Sequence, residues 1–290
     1  MTARAVLRRP RPEAVFLERY AVVHDISGPR VRLALLWSAG VVVAFVFGTF
    51  VLALYFGATA AIGALQAAAQ ARHAGWTANQ ALAGIGAAGV TLAAAVNVRM
   101  WGLAVIVFAL AAVLFPEQFG VPSVLGGLRG ETGDGSDPDR PPRPTLAQLA
   151  GPTAHTLGPG LLMGLAAASA VQVDRVDAMV FIFLFVAVST YDAGDFLCGA
   201  GYDSLVAGPL AGALGVGVVT AAMYIAQPPP LEGTETLVAG ALLMLACPAG
   251  QWLASWLLPT ARSKAPGLRR LDSWLLAAPA FLVVCWFADG

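Results

Sequence analysis

The chain has 290 residues, of which 58% are hydrophobic and 12% are charged, and its formal net charge is zero. Soluble domains carry about a quarter charged residues, so this composition and a mean hydropathy of +0.73 exclude an ordinary soluble protein. The apolar residues come in long blocks, and the short alternating segments of transmembrane strands do not occur. We therefore predict an all-α integral membrane protein, a polytopic bundle of seven to nine transmembrane helices.

The N-terminal segment is basic. Residues 1–32 contain seven arginines and three acids, and the first apolar block follows at once. The segment lacks the short apolar core and the cleavage site of a signal peptide. Because positive charge flanking a span favours the inner side of the membrane, we predict a cytoplasmic N-terminus in a multi-pass protein of the cell membrane.

The apolar blocks predict the spans. Leu33–Ala71 could form one long span with an interfacial tail or two tightly joined helices, and hydropathy alone does not decide. Frequent Gly and Ala predict close helix packing in lipid. The further predicted spans are 81–96, 101–115, 157–173, 178–190, 205–226, 237–258 and 274–287.

A polar stretch divides the chain. Its middle, residues 130–144, consists of Gly, Pro, Asp and Arg with almost nothing to bury, which predicts a mobile loop. We expect four regions: a basic segment (1–32), N-terminal transmembrane helices (33–115), a flexible polar loop (116–156) and a C-terminal transmembrane region (157–290).

Two acids stand out where an apolar block ends. In "VSTYDAGDFLCG", Asp192 and Asp195 are three residues apart, so on a helix they share a face. Carboxylates are the ligands that Mg²⁺ prefers, so the pair is a candidate metal site. The alternative is a solvated helix end, since the depth of the pair in the membrane is unknown.

A basic loop, "PTARSKAPGLRRLDSW", precedes the last predicted span. Its cations could contact the phosphates of a lipid or a nucleotide, and Asp272 and Ser273 follow directly. The alternative is ordinary topology-setting charge that touches anionic headgroups weakly. The basic residues are Arg262, Lys264, Arg269 and Arg270.

Three stretches in the second half of the chain together resemble the phosphatidate cytidylyltransferases (CDP-diacylglycerol synthases). "DAGDFLCG" is similar to the family's Asp-x-Gly-Ala-Tyr-x-x-Gly turn, "GQWLAS" to its Gly-Asp-Leu-x-Glu-Ser helix start, and "PGLRRLDSWLLAAP" to its closing signature. Their order and the spans between them also fit the family.

The resemblance implies transfer of a cytidylyl group from CTP to phosphatidate, releasing pyrophosphate. It implies Asp192 and Asp272 as catalytic residues and Mg²⁺ held by Asp192 and Asp195. It also implies phosphate contacts from Arg262, Lys264, Arg269, Arg270 and Ser273. The implied partners are phosphatidate and CTP for an active enzyme and membrane lipids in either case. A homo-oligomer is compatible with the sequence, and nucleic acid is not an expected partner.

The chain also departs from the family pattern. Gln251 replaces the acid of Gly-Asp-Leu, Ala254 replaces the glutamate of the same motif, and no Lys, Arg or His occurs between Arg175 and Arg262. Burying the phosphate charges of CTP and phosphatidate without paired cations is prohibitive. A catalytically silent lipid-binding or scaffold protein of the same fold is therefore the first alternative. A transporter is the second, and charges confined to loops and span ends argue against it.

Overall fold

The computed structural model describes residues 29–115, 146–199, 206–259 and 265–288. In these ranges every regular element is a helix. In chain order the helices are α1 (Pro29–Val46), α2 (Thr49–His73), α3 (Gln80–Val96), α4 (Val98–Leu114), α5 (Leu146–Val176), α6 (Ala178–Gly199), α7 (Ala207–Ala226), α8 (Thr234–Trp256), α9 (Leu268–Leu271) and α10 (Trp274–Ala288).

Six helical segments of the described chain are long and apolar enough to cross a membrane, the last of them formed by α9 and α10 together. Shorter apolar helices span Arg32–Val46, Gln80–Val96 and Val98–Leu114. Large apolar side chains face outward, for example Ile225 and Phe287, each 84% exposed. Such exposure suits contact with lipid rather than water. The prediction of an all-α, multi-pass membrane protein is confirmed at this level.

The long stretch Leu33–Ala71 forms two helices. The chain turns at Gly48, whose φ of 99° is in the left-handed region that glycine adopts without strain. The two helices then pack closely, and the Tyr55 hydroxyl of α2 donates to the Trp37 carbonyl of α1 at 3.0 Å. Of the two alternatives from hydropathy, the joined pair of helices is the correct one.

The predicted polar loop 116–156 is too long at its C-terminal end. Helix α5 begins at Leu146 and contains Pro152 and Pro159. The Thr156 hydroxyl donates to the Pro152 carbonyl at 3.0 Å and accepts from the Asn79 amide at 2.8 Å, which ties this first part of α5 to the start of α3. Prolines are tolerated in membrane helices where neighbouring groups satisfy the backbone. Residues 130–144, predicted to be mobile, lie outside the described residues.

The bundle has two distinct ends. At one, which we call the far end, the Thr49 hydroxyl donates to Asp174 at 2.6 Å and Arg175 donates to the Val96 carbonyl at 2.8 Å. At the other, the near end, the Gly267 amide donates to the Gln66 side chain at 2.8 Å. Helix α6 therefore runs from the far end to the near end, and α9–α10 start at the near end.

Candidate functional site

A cluster of polar side chains lies inside the bundle at the near end, where α6, α8 and the α9–α10 junction meet. We call it the polar cluster, and it consists of Asp192, Asp195, Gln251, Ser255, Arg269, Asp272 and Ser273.

Glycines allow these helices to come close. A Cβ at Gly250 of α8 would lie 2.6 Å from the Asp272 carbonyl oxygen, and a Cβ at Gly208 of α7 would lie 2.7 Å from the Asp195 carboxylate. Real Cβ atoms do not approach other atoms so closely, so only glycine fits at these positions. The glycines that predicted close helix packing thus also bring the polar side chains of neighbouring helices into contact.

The Gln251 amide joins the two aspartates of α6. Its Nε2 donates to Ser273 Oγ at 3.0 Å, to Asp195 Oδ2 at 3.2 Å and to Asp192 Oδ1 at 3.4 Å. The Ser273 hydroxyl in turn donates to Asp192 Oδ1. Because an amide nitrogen carries only two hydrogens, the three acceptors share them. Gln251 is 3% exposed and Asp195 is 4% exposed, so this network lies away from the surface.

The second part of the polar cluster surrounds Arg269. Its Nη1 lies 3.7 Å from Asp272 Oδ2 and 3.4 Å from Ser255 Oγ. The other Asp272 oxygen, Oδ1, accepts from the Ser273 amide at 2.9 Å. Ser255 also donates to the Gln251 carbonyl at 3.0 Å, one turn earlier on α8. A cation and a hydroxyl thus lie beside the carboxylate network.

Most of the predicted site residues lie together. Asp192, Asp195, Asp272, Ser273 and Arg269 all belong to the polar cluster. Arg270 neighbours it on α9 and is half-buried. Arg262 and Lys264 lie outside the described residues.

The alternative of a solvated helix end does not fit Asp192 and Asp195. Helix α6 continues to Gly199, so Asp192 lies seven residues, or about 10 Å, before its end. Asp195 is almost fully buried. Both carboxylates accept hydrogen bonds from Gln251 of α8, and Asp192 is half-buried. They are part of an internal site.

The predicted Mg²⁺ would need oxygen ligands around one point. Within the described ranges no group of three or more His, Cys, Asp or Glu side chains is arranged to hold a metal ion. Asp192 and Asp195 supply two carboxylates, but an N–H donor points at both of them. The Gln251 Oε1 atom, the one amide oxygen that could ligate a cation, has no hydrogen-bond partner among the described residues. In this amide orientation a hydrogen-bond donor, not an oxygen ligand, faces the two carboxylates, and the magnesium site stays a prediction.

Sequence reasoning treated Gln251 and Ser255 only as the remains of a motif. In the structure they are central, because each bonds to residues of another helix. A signal for them was present: two polar residues four apart in an otherwise apolar helix lie on one face. That spacing indicates a shared polar partner, although it does not identify the partner.

Comparison of the chain with protein-family models, with curated proteins and with solved structures finds no match. The resemblance to the cytidylyltransferases therefore rests on the motif residues of the sequence.

Proposed function

We propose that this chain is a divergent member of the phosphatidate cytidylyltransferase family, a cell-membrane protein of phospholipid synthesis with seven to nine spans. One observation carries the proposal. Asp192 and Gln251 are 59 residues apart in the chain, and Gln251 and Ser273 are 22 apart. Each comes from a different stretch that resembles a family motif, yet the three meet within hydrogen-bond distance. Ionisable residues inside an apolar bundle pair with one another and commonly mark a functional site, and here the paired residues are those of the three motif-like stretches.

In this proposal the near end faces the cytoplasm. Helix α1 starts at this end, since Trp37 packs against Trp274 at the start of α10 while Phe45 packs against Phe181 at the start of α6. The basic N-terminal segment and the basic loop before α9 therefore join helices at one end. Arg32 and Arg72 add exposed charge there. Such an excess of arginine favours the inner side.

The first candidate activity is cytidylyl transfer. An oxygen of the lipid phosphate would bond to the α-phosphorus of CTP, and the bond from that phosphorus to the bridging oxygen of pyrophosphate would break. Arg269 and Arg270 would neutralise phosphate charge during the exchange. Asp272 would hold Arg269 in place, because its carboxylate lies 3.7 Å from the guanidinium.

The second candidate is a catalytically silent lipid-binding or scaffold protein, and the amide of Gln251 favours it. Nucleotidyl transfer to a lipid phosphate brings many negative charges together, and cations normally neutralise them. Here a neutral amide occupies the position between Asp192 and Asp195. The fold and the arginines would still recognise a phosphate headgroup.

One assay separates the candidates. The protein, purified in detergent, is incubated with magnesium, CTP and phosphatidate, and CDP-diacylglycerol is measured. Asp192→Asn tests the polar cluster, and Asp174→Asn, which alters a carboxylate at the far end, is the matched control. Product that only Asp192→Asn abolishes establishes the transferase. Phosphatidate binding without product establishes the silent protein. Absence of both binding and product rejects the family proposal.

A further inference from the structure

Helix α9 carries the arginines of the candidate site, although it is only one turn long. It consists of Leu268–Leu271. A single helical turn is unstable by itself, because nucleating a helix costs more than its first hydrogen bond returns. The position of α9, and of Arg269 and Arg270 with it, therefore depends on contacts with neighbouring helices.

Helix α2 supplies one of these contacts through the half-buried side chain of Gln66. Its Oε1 atom accepts from the amide of Gly267, the residue before α9, at 2.8 Å and across 201 residues of chain. The first amides of a helix have no acceptor within that helix. Gln66 therefore gives the start of α9 the acceptor that the short helix cannot provide for itself.

Two glycines let the start of α9 lie directly on the backbone of α2. A Cβ at Gly267 would lie 3.0 Å from the Gly63 amide nitrogen, and a Cβ at Gly63 would lie 3.1 Å from the Leu268 amide nitrogen. The Leu268 side chain is fully buried. Backbones packed this closely leave little room for a shift, and the hydrogen bond from Gly267 to Gln66 fixes their register.

The opposite side of α9 faces the polar cluster. Arg269 follows Gly267 by two residues, or about 200° around a helix, and so projects away from α2. Its Nη1 atom lies 3.4 Å from Ser255 Oγ of α8 and 3.7 Å from Asp272 Oδ2. If α9 turned or lifted off α2, the guanidinium would move away from Ser255. The contact on one side of α9 thus determines where the positive charge lies on the other.

We propose that Gln66 is a positioning residue that holds Arg269 and Arg270 at the polar cluster. It acts through the Gly267 amide. That these arginines meet a phosphate rests on the proposed function, whereas the placement of α9 rests on its contacts with α2. Gln66 lies in the N-terminal half of the chain, outside the three motif-like stretches, so that half would contribute to the site as well.

Three variants test the hydrogen bond of Gln66. In Gln66→Leu the new side chain has a similar size and helix propensity, so α2 should be retained, but it offers no acceptor. Gln66→Glu keeps an oxygen acceptor in the same place and is the conservative rescue. Gln172→Leu is the matched control, because the Gln172 side chain donates to the Ala94 carbonyl at 2.7 Å and joins two helices at the far end.

Hydrogen exchange of the α9 amides measures the placement of this helix directly. Exchange of the full-length protein in detergent is followed by mass spectrometry on peptides that contain residues 265–272. Loss of one hydrogen bond should speed exchange in Gln66→Leu about fivefold. Gln66→Glu should restore the wild-type rate, and Gln172→Leu should not change it. Unchanged exchange in Gln66→Leu, or an equal increase in Gln172→Leu, would overturn the proposal.

Phosphatidate binding separates this proposal from the proposed function. We expect Gln66→Leu to raise the Kd for phosphatidate about fivefold and Gln172→Leu to keep the wild-type Kd. A wild-type Kd in Gln66→Leu despite faster α9 exchange would show that Gln66 does not position the arginines for a phosphate, and the proposal would fail while the proposed function stands. If wild type binds no phosphatidate, the proposed function fails, and the exchange rates alone decide whether Gln66 fixes α9.

Discussion

Gln251 lies where a third carboxylate would complete an oxygen ligand set with Asp192 and Asp195. Its nitrogen points at both aspartates, so it supplies hydrogens at a place where a cation would supply positive charge. A neutral donor lowers the repulsion between the buried Asp195 carboxylate and the half-buried Asp192 carboxylate without requiring an ion. The identity of this one residue therefore determines whether the two aspartates are joined by hydrogen bonds or share a cation.

Gln251→Glu should therefore convert the polar cluster into a cation site. The new carboxylate has the same shape as the amide and places a third acidic side chain beside the aspartates, which hard dications prefer. We expect wild type to show no saturable Mn²⁺ binding and the variant to bind Mn²⁺ in electron paramagnetic resonance titrations. At an Mn²⁺ concentration a hundred times the Kd, the variant should gain about 2.7 kcal/mol in unfolding free energy.

The control for this conversion is the double variant Gln251→Glu with Asp192→Asn. It keeps the new glutamate but removes one original ligand, so Mn²⁺ binding should weaken strongly. If wild type binds Mn²⁺ as tightly as Gln251→Glu does, the amide does not exclude the ion and the interpretation of Gln251 is wrong.

Among the elements, the close contact between α6 and α7 positions Asp195. A Cβ at Gly194 would lie 2.9 Å from the backbone of Gly212, so no flexible side chain can move aside to make room. Gly194→Ala should force the two helices apart and lower the unfolding free energy by about 1–3 kcal/mol, as overpacking does in other cores. Thermal unfolding in detergent measures the change.

Gly89→Ala is the matched control because it is also in a helix interior and has no neighbour within 4 Å of a new Cβ. It should stabilise the protein slightly, by about 0.5–1 kcal/mol, since alanine is the better helix former. A Gly194→Ala protein as stable as the Gly89→Ala protein would show that α6 and α7 are not held in contact by their glycines.

Helix positions could be predicted from the sequence, because long apolar blocks in lipid can only be helices. The errors lie at the ends. Residues 146–156, predicted as part of the polar loop, are helical, and Thr156 and Asn79 hold that segment against α3. Helix α6 continues past its predicted end at Thr190 to Gly199, and its acids accept hydrogen bonds from Gln251 of α8.

The composition of the candidate site could be predicted only in part. Asp192, Asp195, Asp272 and Ser273 were found because they form recognisable short patterns. The position of Gln251 between the aspartates depends on a contact across 56 residues of chain, and no local pattern contains it. Arg175 is a charged residue that does not belong to the candidate site. It lies at the far end of the bundle, where it donates to the carbonyls that end α3.

For the whole molecule, the two ends of the bundle should face different compartments, with the near end in the cytoplasm. Arg72 is exposed at the end of α2, beyond Gln66, and thus at the near end. Arg99 is exposed at the start of α4, close to the α3 carbonyls that Arg175 caps at the far end. One cysteine at each position reports the side on which that end lies.

Arg72→Cys and Arg99→Cys are made in a background with Cys198→Ser, because Cys198 is the exposed native cysteine among the described residues. A membrane-impermeant maleimide added to intact cells should label position 99 and leave position 72 unlabelled until the membrane is opened. The physical reason is the arginine excess near the near end, since positively charged flanks are retained on the inner side. Labelling of position 72 but not of position 99 in intact cells would reverse the orientation. The polar cluster would then lie on the side of the membrane without CTP, and the transferase candidate would fail with it.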